Sequence, residues 1–298
     1  LLHVEDALDG AADTLGSINT TRVIRTLARI LDLPTDAVAK ALGPQGLLSQ
    51  SGLIQLARHG ASTLRVKLDL LSESFADLMT STRVQPEELL RGTVTAAPAP
   101  ELELSDYAHL DASLGILRPY LDHALATGRR GVNVFLHGPP GTGKTQLARL
   151  LAHLAKCSLL EVAGEDEDGD PVDGQRRLRA FRAAQTLLSR QRALILFDEV
   201  EDVFNDGSDF FGRKSTAQSR KAWMNRMLED AEVPTFWLSN SIHEIDPAFI
   251  RRFDMIIEVP VPPRSQRHRI VQRACSGLVG ADCITRLANV DHLAPAVI

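Results

Sequence analysis

The sequence predicts an α/β fold in which helices cover both faces of a parallel sheet. Three short apolar runs, at residues 132–136, 193–197 and 233–238, are continuous rather than alternating, as is usual for strands that are buried on both faces. Apolar residues recur at helical spacing over residues 147–154, after the first of these runs. Strands that alternate with helices favour a parallel sheet.

The composition limits the class of protein. A chain of 298 residues is long enough for about two domains. Its formal net charge of -5 gives no support for a general nucleic-acid or anionic-membrane surface. No apolar run approaches the ~20 residues of a membrane span, and no CxxC pair indicates zinc among the three cysteines. We therefore expect a cytoplasmic protein with free thiols, no signal peptide and no membrane partner.

Three stretches of the chain differ in character. Residues 1–94 have mostly helical periodicity and form a predicted N-terminal domain. Residues 95–103 are a predicted linker, because the Pro/Ala-rich stretch 95–100 favours an extended chain. Strands alternate with helices over residues 104–260, the predicted α/β domain, and helical periodicity continues over 261–298.

The N-terminal domain has the order of elements of a winged helix. A helix is predicted after a cap at Thr20–Thr21, and a short second helix after Pro34. Residues 53–56 and 64–68 then flank a glycine turn as a predicted hairpin. However, residues 1–96 hold nine Lys/Arg against eleven Asp/Glu, fewer basic residues than DNA readers usually have. A helical domain that binds a partner or packs internally is the favoured alternative.

The central motif is a glycine-rich loop between a predicted strand and a predicted helix, and it matches GxxxxGK[ST] without deviation. Glycines let the backbone turn around an anion, so that amide groups and the helix N-terminus face the phosphates. Lys144 supplies a cation for the β- and γ-phosphates, and Thr145 supplies a hard oxygen ligand for Mg²⁺. We therefore predict that ATP and Mg²⁺ bind at Gly138, Pro139, Pro140, Gly141, Thr142, Gly143, Lys144 and Thr145.

A second motif follows about fifty residues later, where the apolar run 194–197 leads into Asp198 and Glu199. This arrangement is the Walker B pattern. Asp198, at the end of the strand, is predicted to hold Mg²⁺ together with Thr145. Glu199 is predicted to orient the attacking water as a catalytic residue. The acidic residues at 201 and 202 are interpreted as surface charge.

With these motifs the chain resembles the AAA+ ATPases over residues 104–298. Residues 237–240 (Trp-Leu-Ser-Asn) are similar to the family's Ala-Thr-Asn, which implies that Asn240 is the catalytic sensor of the γ-phosphate. Residues 245–254 are similar to a family segment that carries two arginine fingers, although two residues between the arginines are missing. The resemblance implies that Arg251 or Arg252 acts on the ATP of a neighbouring subunit, in a ring that is usually a hexamer.

Two further segments extend the resemblance. Asp106 and Tyr107 lie in a segment similar to the family's Asp-Ile-Gly region, which packs on adenine, and this implies that both contact the nucleotide. A plain loop is the alternative. Residues 261–298 are similar to the first part of the family's helical lid, and no sensor 2 arginine is assigned within them.

The resemblance implies Mg²⁺-dependent ATP hydrolysis coupled to remodelling of a macromolecular client, with protein favoured over DNA. Family members that thread polypeptides carry an aromatic loop where this chain has the acidic stretch 164–174. Such a loop suits a basic client or a metal ion, or is simply solvated. Phe210-Phe211-Gly212 occupies the position of the family's second pore loop, and the alternative is that the two phenylalanines pack into the sheet. The rival functions are a DNA-acting ATPase with a winged helix and a scaffold that hydrolyses ATP slowly.

Overall fold

The computed structural model describes residues 10, 12–57, 60–79, 85, 88–166, 168–204, 214–275, 278–290 and 294–297. Contacts between Cα atoms divide the chain into two units. The first unit contains residues 1–95 and 162–190, and the second contains residues 96–161 and 191–298. The stretch 162–190 lies within the predicted α/β domain in sequence, but its contacts cluster with those of the N-terminal residues.

The first unit is mostly helical. Its helices are α1 (Thr20–Ile30), α2 (Thr35–Ala41), α3 (Leu47–Gln50), α4 (Leu64–Lys67), α5 (Glu73–Met79) and α8 (Gly174–Leu188). The two predicted helices after residues 20 and 34 are confirmed as α1 and α2. The predicted cap at Thr20–Thr21 is wrong, because the N-cap is Asn19, whose side chain accepts a hydrogen bond from Arg22 N at 2.9 Å.

The predicted hairpin is present with a different second strand. β1 (Ile54–Leu56) and β2 (Leu68–Leu70) pair antiparallel. Residues 64–67, predicted as strand, form the single helical turn α4 instead. Lys67 at the end of this turn is fully buried, and its Nζ donates to the carbonyls of residues 57 and 60 at 2.8 and 2.6 Å. These tertiary contacts override a local strand pattern.

A six-stranded sheet lies mostly in the second unit, and the unit boundaries fall after residue 95 in β3 and before residue 162 in β5. Its strands are β3 (Val94–Ala96), β4 (Asn133–His137), β5 (Ser158–Val162), β6 (Ala193–Phe197), β7 (Thr235–Ser239) and β8 (Met255–Glu258). They lie in the order β3-β5-β6-β7-β4-β8, and β5, β6, β7, β4 and β8 pair in parallel. Because parallel strands end at the same edge, the segments that follow β4, β6 and β7 meet there.

Helices cover both faces of this sheet. On one face, α6 (Asp111–Thr127) and α7 (Lys144–Leu154) share an aliphatic core with Val134 and Leu136 of β4. On the other face, Phe197 stacks on Trp237 with ring centroids 5.2 Å apart, and Phe204 of α9 (Glu201–Phe204) meets the same indole edge-on. The predicted α/β fold class is therefore confirmed.

The remaining helices of the second unit follow in chain order. They are α10 (Lys214–Glu229), α11 (Pro247–Ile250), α12 (Arg264–Ala274) and α13 (Ala281–Ala288), with short 3-10 turns at Leu104–Leu110 and Pro295–Val297. Within the described part of the chain, every helix is too short or too polar to cross a bilayer.

Candidate active site

The phosphate loop, residues 138–143, joins β4 to α7 as the sequence predicts. Its three glycines have φ values of 148°, 76° and 91°, which residues with a Cβ rarely adopt. A Cβ on Gly138 would lie 2.2 Å from Val259 O, and one on Gly143 would lie 2.9 Å from Tyr107 Oη. The first amides of α7 have no intrahelical acceptor, so this helix N-terminus is suited to an anion.

The other residues of the loop stabilise its turn. Thr142 is buried, and its hydroxyl donates to Pro139 O at 3.0 Å. Pro139 and Pro140 are exposed on the outside of the loop. Gly141 O accepts a hydrogen bond from the backbone of residue 296 at 3.2 Å, so the end of the described chain lies against the loop.

Lys144, the first residue of α7, is buried above the loop. Its Nζ donates to Gly138 O at 2.8 Å, to Pro139 O at 3.1 Å and to Asn240 Oδ1 at 3.1 Å. Burial lowers the pKa of Lys144, and the nearby carboxylates of Asp198 and Glu201 oppose that shift. The ammonium group is thus held by neutral acceptors next to the amides that would face phosphate.

Thr145 and Asp198 come together as predicted. The Thr145 hydroxyl donates to Asp198 Oδ2 at 2.9 Å, which joins the start of α7 to the end of β6. A hydroxyl and a carboxylate at this spacing are hard oxygen donors of the kind that Mg²⁺ prefers, with waters and phosphate oxygens as its other ligands. The two residues therefore fit the predicted metal. Within the described residues, no cluster of three or more His, Cys, Asp or Glu forms a self-sufficient metal site.

Glu199 is exposed at the same edge and has an uncommon backbone. Its φ is 51°, in the left-handed region that a residue with a side chain seldom occupies. Its amide donates to Asp198 Oδ1 at 2.8 Å. Such strain is often found at functional sites. Glu199 is thus exposed, while Asp198 lies beside Thr145.

Asn240 follows β7 and meets Lys144 through its side-chain oxygen, so the structure brings the predicted sensor to the phosphate loop. Glu201 was interpreted as surface charge, and that interpretation is wrong. One oxygen of Glu201, Oε1, accepts hydrogen bonds from Asn240 N at 2.6 Å and from the Ser239 hydroxyl at 2.8 Å. The sequence signal for Glu201 was its position two residues after Glu199, at the start of the turn that faces the end of β7.

The two adjacent arginines are in different environments. Arg252 is half-buried and forms an ion pair with Glu229 at the end of α10. Arg251 is exposed at the C-cap of α11. The structure thus separates two residues that the sequence could not distinguish.

Asp106 and Tyr107 are both buried, so neither presents an open surface. The Tyr107 hydroxyl donates to Gly143 O at 2.8 Å, and burial raises the pKa of this phenol. Asp106 closes a capping box with Glu103 and accepts from Arg273 of α12 at 3.2 Å. Tyr107 therefore supports the phosphate loop, whereas Asp106 links this segment to the predicted lid.

The acidic stretch 164–174 lies in the first unit and is internally bonded. Asp166 Oδ1 accepts from the amides of Asp168 and Asp170 at 3.1 and 2.9 Å, and Asp173 caps α8. The predicted second pore loop at 210–212 lies outside the described residues.

Comparison with known proteins shows similarity to ATPases. Residues 134–261 match the profile of the ATPase family associated with various cellular activities (AAA). The chain is 28% identical over 284 residues to proteasome-activating nucleotidase 2 of Halobacterium salinarum, covering 87% of this chain and 66% of that protein. It is 33% identical over 211 residues to ATPase family gene 2 protein homolog B of Rattus norvegicus, covering 63% and 27% of the two chains.

The crystal structure of the FIGL-1 AAA domain in complex with ADP is similar at 20% identity, with a TM-score of 0.49 over 72% of this chain and 77% of that chain. The chain spans 66% of the length of proteasome-activating nucleotidase 2 and 64% of the length of the proteasome-activating nucleotidase of Methanosphaerula palustris. The family match starts in β4 and ends just after β8, so it encloses the phosphate loop, Asp198, Glu199, Asn240 and the two arginines. Residues 134–261 therefore match the AAA family of ATPases and contain all of these residues.

Proposed function

We propose that this protein binds ATP with Mg²⁺ and hydrolyses it to ADP and phosphate, and that hydrolysis drives remodelling of a protein client. One observation carries the proposal: Lys144, Thr145, Asp198 and Asn240 form a connected set at the mouth of the phosphate loop. Each of them comes from a segment next to the end of β4, β6 or β7. Because the four residues come from segments beside three different strands, the tertiary fold and not one local motif brings them together.

The roles follow from the geometry. The loop amides and Lys144 would bind the β- and γ-phosphates, while Thr145 and Asp198 would hold Mg²⁺. The metal, when bound, neutralises charge on the phosphate oxygens. Glu199, exposed on its strained turn, would orient a water for in-line attack on the γ-phosphorus, and the bond to the β-γ bridging oxygen breaks as ADP leaves.

We infer that Arg251 is the residue that reaches a neighbouring subunit in a ring, because it is exposed, whereas Arg252 is paired with Glu229. A guanidinium beside the γ-phosphate stabilises charge in the transition state. The protein client is supported by a relative that is named as a proteasome-activating nucleotidase. The resemblance to AAA+ ATPases implies a ring, usually a hexamer, in which arginines act between subunits.

The test mixes inactive subunits. Arg251→Ala protein supplies an intact Glu199, and Glu199→Gln protein supplies an intact Arg251, so mixed assemblies recover ATP turnover at some interfaces. We expect each variant alone to lose at least ~100-fold in kcat and the mixture to regain a measurable part. Arg252→Ala is the matched control, and we expect it to lower thermal stability more than turnover. A mixture as inactive as its components would contradict sharing of sites between subunits.

A second candidate function, DNA binding by the first unit, is favoured by one observation. Arg22, Arg25 and Arg29 are all exposed on α1, which contains no acidic residue, and a second helix and a hairpin follow. Against it, the exposed surface of α2 includes Asp36. Anisotropy titrations with duplex DNA at 50 and 200 mM salt decide the matter: binding that weakens steeply with salt and is lost when the three arginines become alanine would favour DNA as the client.

A further inference from the structure

Glu201 belongs to a hydrogen-bonded chain that ends at the phosphate loop. Its Oε1 accepts from Asn240 N at 2.6 Å and from the Ser239 hydroxyl at 2.8 Å. The side chain of Asn240 in turn accepts from Lys144 Nζ at 3.1 Å. Glu201 lies at the start of α9, immediately after the turn that carries Asp198 and Glu199. One carboxylate therefore connects the end of β6 with the end of β7.

The backbone strengthens this connection. Val200 N donates to Leu238 O at 3.1 Å, so the turn after Asp198 is already hydrogen-bonded to β7. Ser239 is buried, and its oxygen also accepts from Ser241 N at 3.1 Å, which tightens the turn around Asn240. A carboxylate that accepts a backbone amide forms a charge-assisted bond, roughly twice as strong as a neutral one. Glu201 thus fixes the backbone of Asn240, while the exposed side chain of Asn240 contacts Lys144 beside the phosphate loop.

We propose that Glu201 is a positioning residue. It holds Asn240 where the side chain of Asn240 can contact a γ-phosphate, and it thereby links the Asp198–Glu199 turn to recognition of that phosphate. The proposal rests on the proposed function, because it needs a nucleoside triphosphate at the loop. The hydrogen bonds of Glu201 go to Asn240 and Ser239, which lie at the end of β7, and not to the phosphate loop. It acts through Asn240, whose amide group is the part that contacts Lys144 and would contact a terminal phosphate.

The discriminating quantity is selectivity for the γ-phosphate, measured as the ratio of the Kd for ADP to the Kd for ATPγS in Mg²⁺. Because Lys144 and the loop amides hold the β-phosphate without Asn240, we expect Glu201→Ala to leave the Kd for ADP within about threefold. We expect the Kd for ATPγS to rise about tenfold, which is ~1.4 kcal/mol, the size of one good hydrogen bond. Glu201→Gln keeps an acceptor oxygen and should restore most of the selectivity.

A double-mutant cycle separates this role from a merely structural one. If Glu201 acts through Asn240, Glu201→Ala added to Asn240→Ala should change the selectivity ratio less than twofold. Glu232→Ala, which removes a carboxylate paired with Arg130 instead, is the control and should leave the ratio unchanged. A Glu201→Ala protein with parental selectivity, or one that loses ADP and ATPγS affinity equally, would overturn the proposal.

Measurements on the unsubstituted protein, the parent, distinguish failure of the proposed ATPase function from failure of the proposed role of Glu201. A parent that binds ATPγS without hydrolysing ATP would refute the proposed turnover, and the selectivity ratio would still test Glu201. A parent that binds neither nucleotide would overturn both. A parent that turns over ATP while Glu201→Ala keeps its selectivity would overturn the positioning role alone.

Discussion

The phosphate loop (138–143) and the acidic loop, which is the part of the acidic stretch before α8 (164–173), both follow a strand and precede a helix. They differ in whether a side chain caps that helix. In the acidic loop, Asp166 accepts from two amides of its own turn, and Asp173 accepts from Arg176 N at the start of α8. In the phosphate loop, the N-cap of α7 is Gly143, which has no side chain to cap it. A helix N-terminus after a strand is therefore suited to a ligand only where the chain supplies no anion of its own.

This difference bears on the acidic loop's expected role. The sequence left open a basic client or a metal ion for residues 164–174. Asp166 and Asp173 use their oxygens within the loop, which favours a structural role for these two carboxylates. Charge density along the sequence did not reveal this, because it does not show which oxygens the backbone already occupies.

The largest expected effect concerns Lys144, the cation that follows the phosphate loop and has no counterpart in the acidic loop. Lys144→Ala should weaken binding of a fluorescent ATP analogue by at least ~100-fold, because a buried charge contact to phosphate is lost. Asp166→Ala, in the acidic loop, should leave that affinity within about twofold. Equal losses in the two variants would show that the loops are not functionally distinct.

The next largest effect is the loss of stability when one glycine of each loop is replaced by alanine. Gly138→Ala places its Cβ 2.2 Å from Val259 O, so the backbone must move, and we expect ~2–4 kcal/mol of lost stability. Gly169→Ala, with φ of 84° but open space around it, should cost only ~1–2 kcal/mol of conformational strain. Urea midpoints of the two variants give the comparison, and a Gly169→Ala protein that is the less stable would contradict it.

The smallest effect tests the cap of α8. Asp173→Ala removes the acceptor for Arg176 N and should lower the free energy of unfolding by ~1 kcal/mol, whereas Asp173→Asn keeps an acceptor and should lose only a fraction of that. Thermal unfolding of the two variants measures the difference. Identical melting temperatures for Asp173→Ala and Asp173→Asn would mean that the hydrogen bond of the Asp173 side chain does not stabilise α8.

Much of the second unit could be predicted from sequence because its constraints are local. The run from Gly138 to Thr145 has a chemical reason for each type of residue, and an apolar strand before Asp198 fixes that carboxylate at a sheet edge. The structure agrees by placing Thr145 beside Asp198. The catalytic roles assigned to these residues remain predictions.

The features that sequence analysis missed depend on distant contacts. Residues 64–67 have a strand pattern, but burial of Lys67 against two carbonyls favours a helical turn. The sequence alone indicates an exposed acid at Glu201, because it does not show that β7 lies beside β6 and brings Asn240 to this carboxylate. The separate environments of Arg251 and Arg252 depend on α10, far away in sequence. Periodicity and spacing contain no information on such partners.

Trp237 gives the second unit an internal probe. Its indole is fully buried, stacks on Phe197 and donates to Asn133 Oδ1 at 2.9 Å, three residues before Asn240 on the same chain segment. An indole in such surroundings emits at short wavelength and shifts to the red when water reaches it. With Trp223→Phe to remove the second indole, the emission of one residue would report whether a variant at the nucleotide edge keeps an intact sheet.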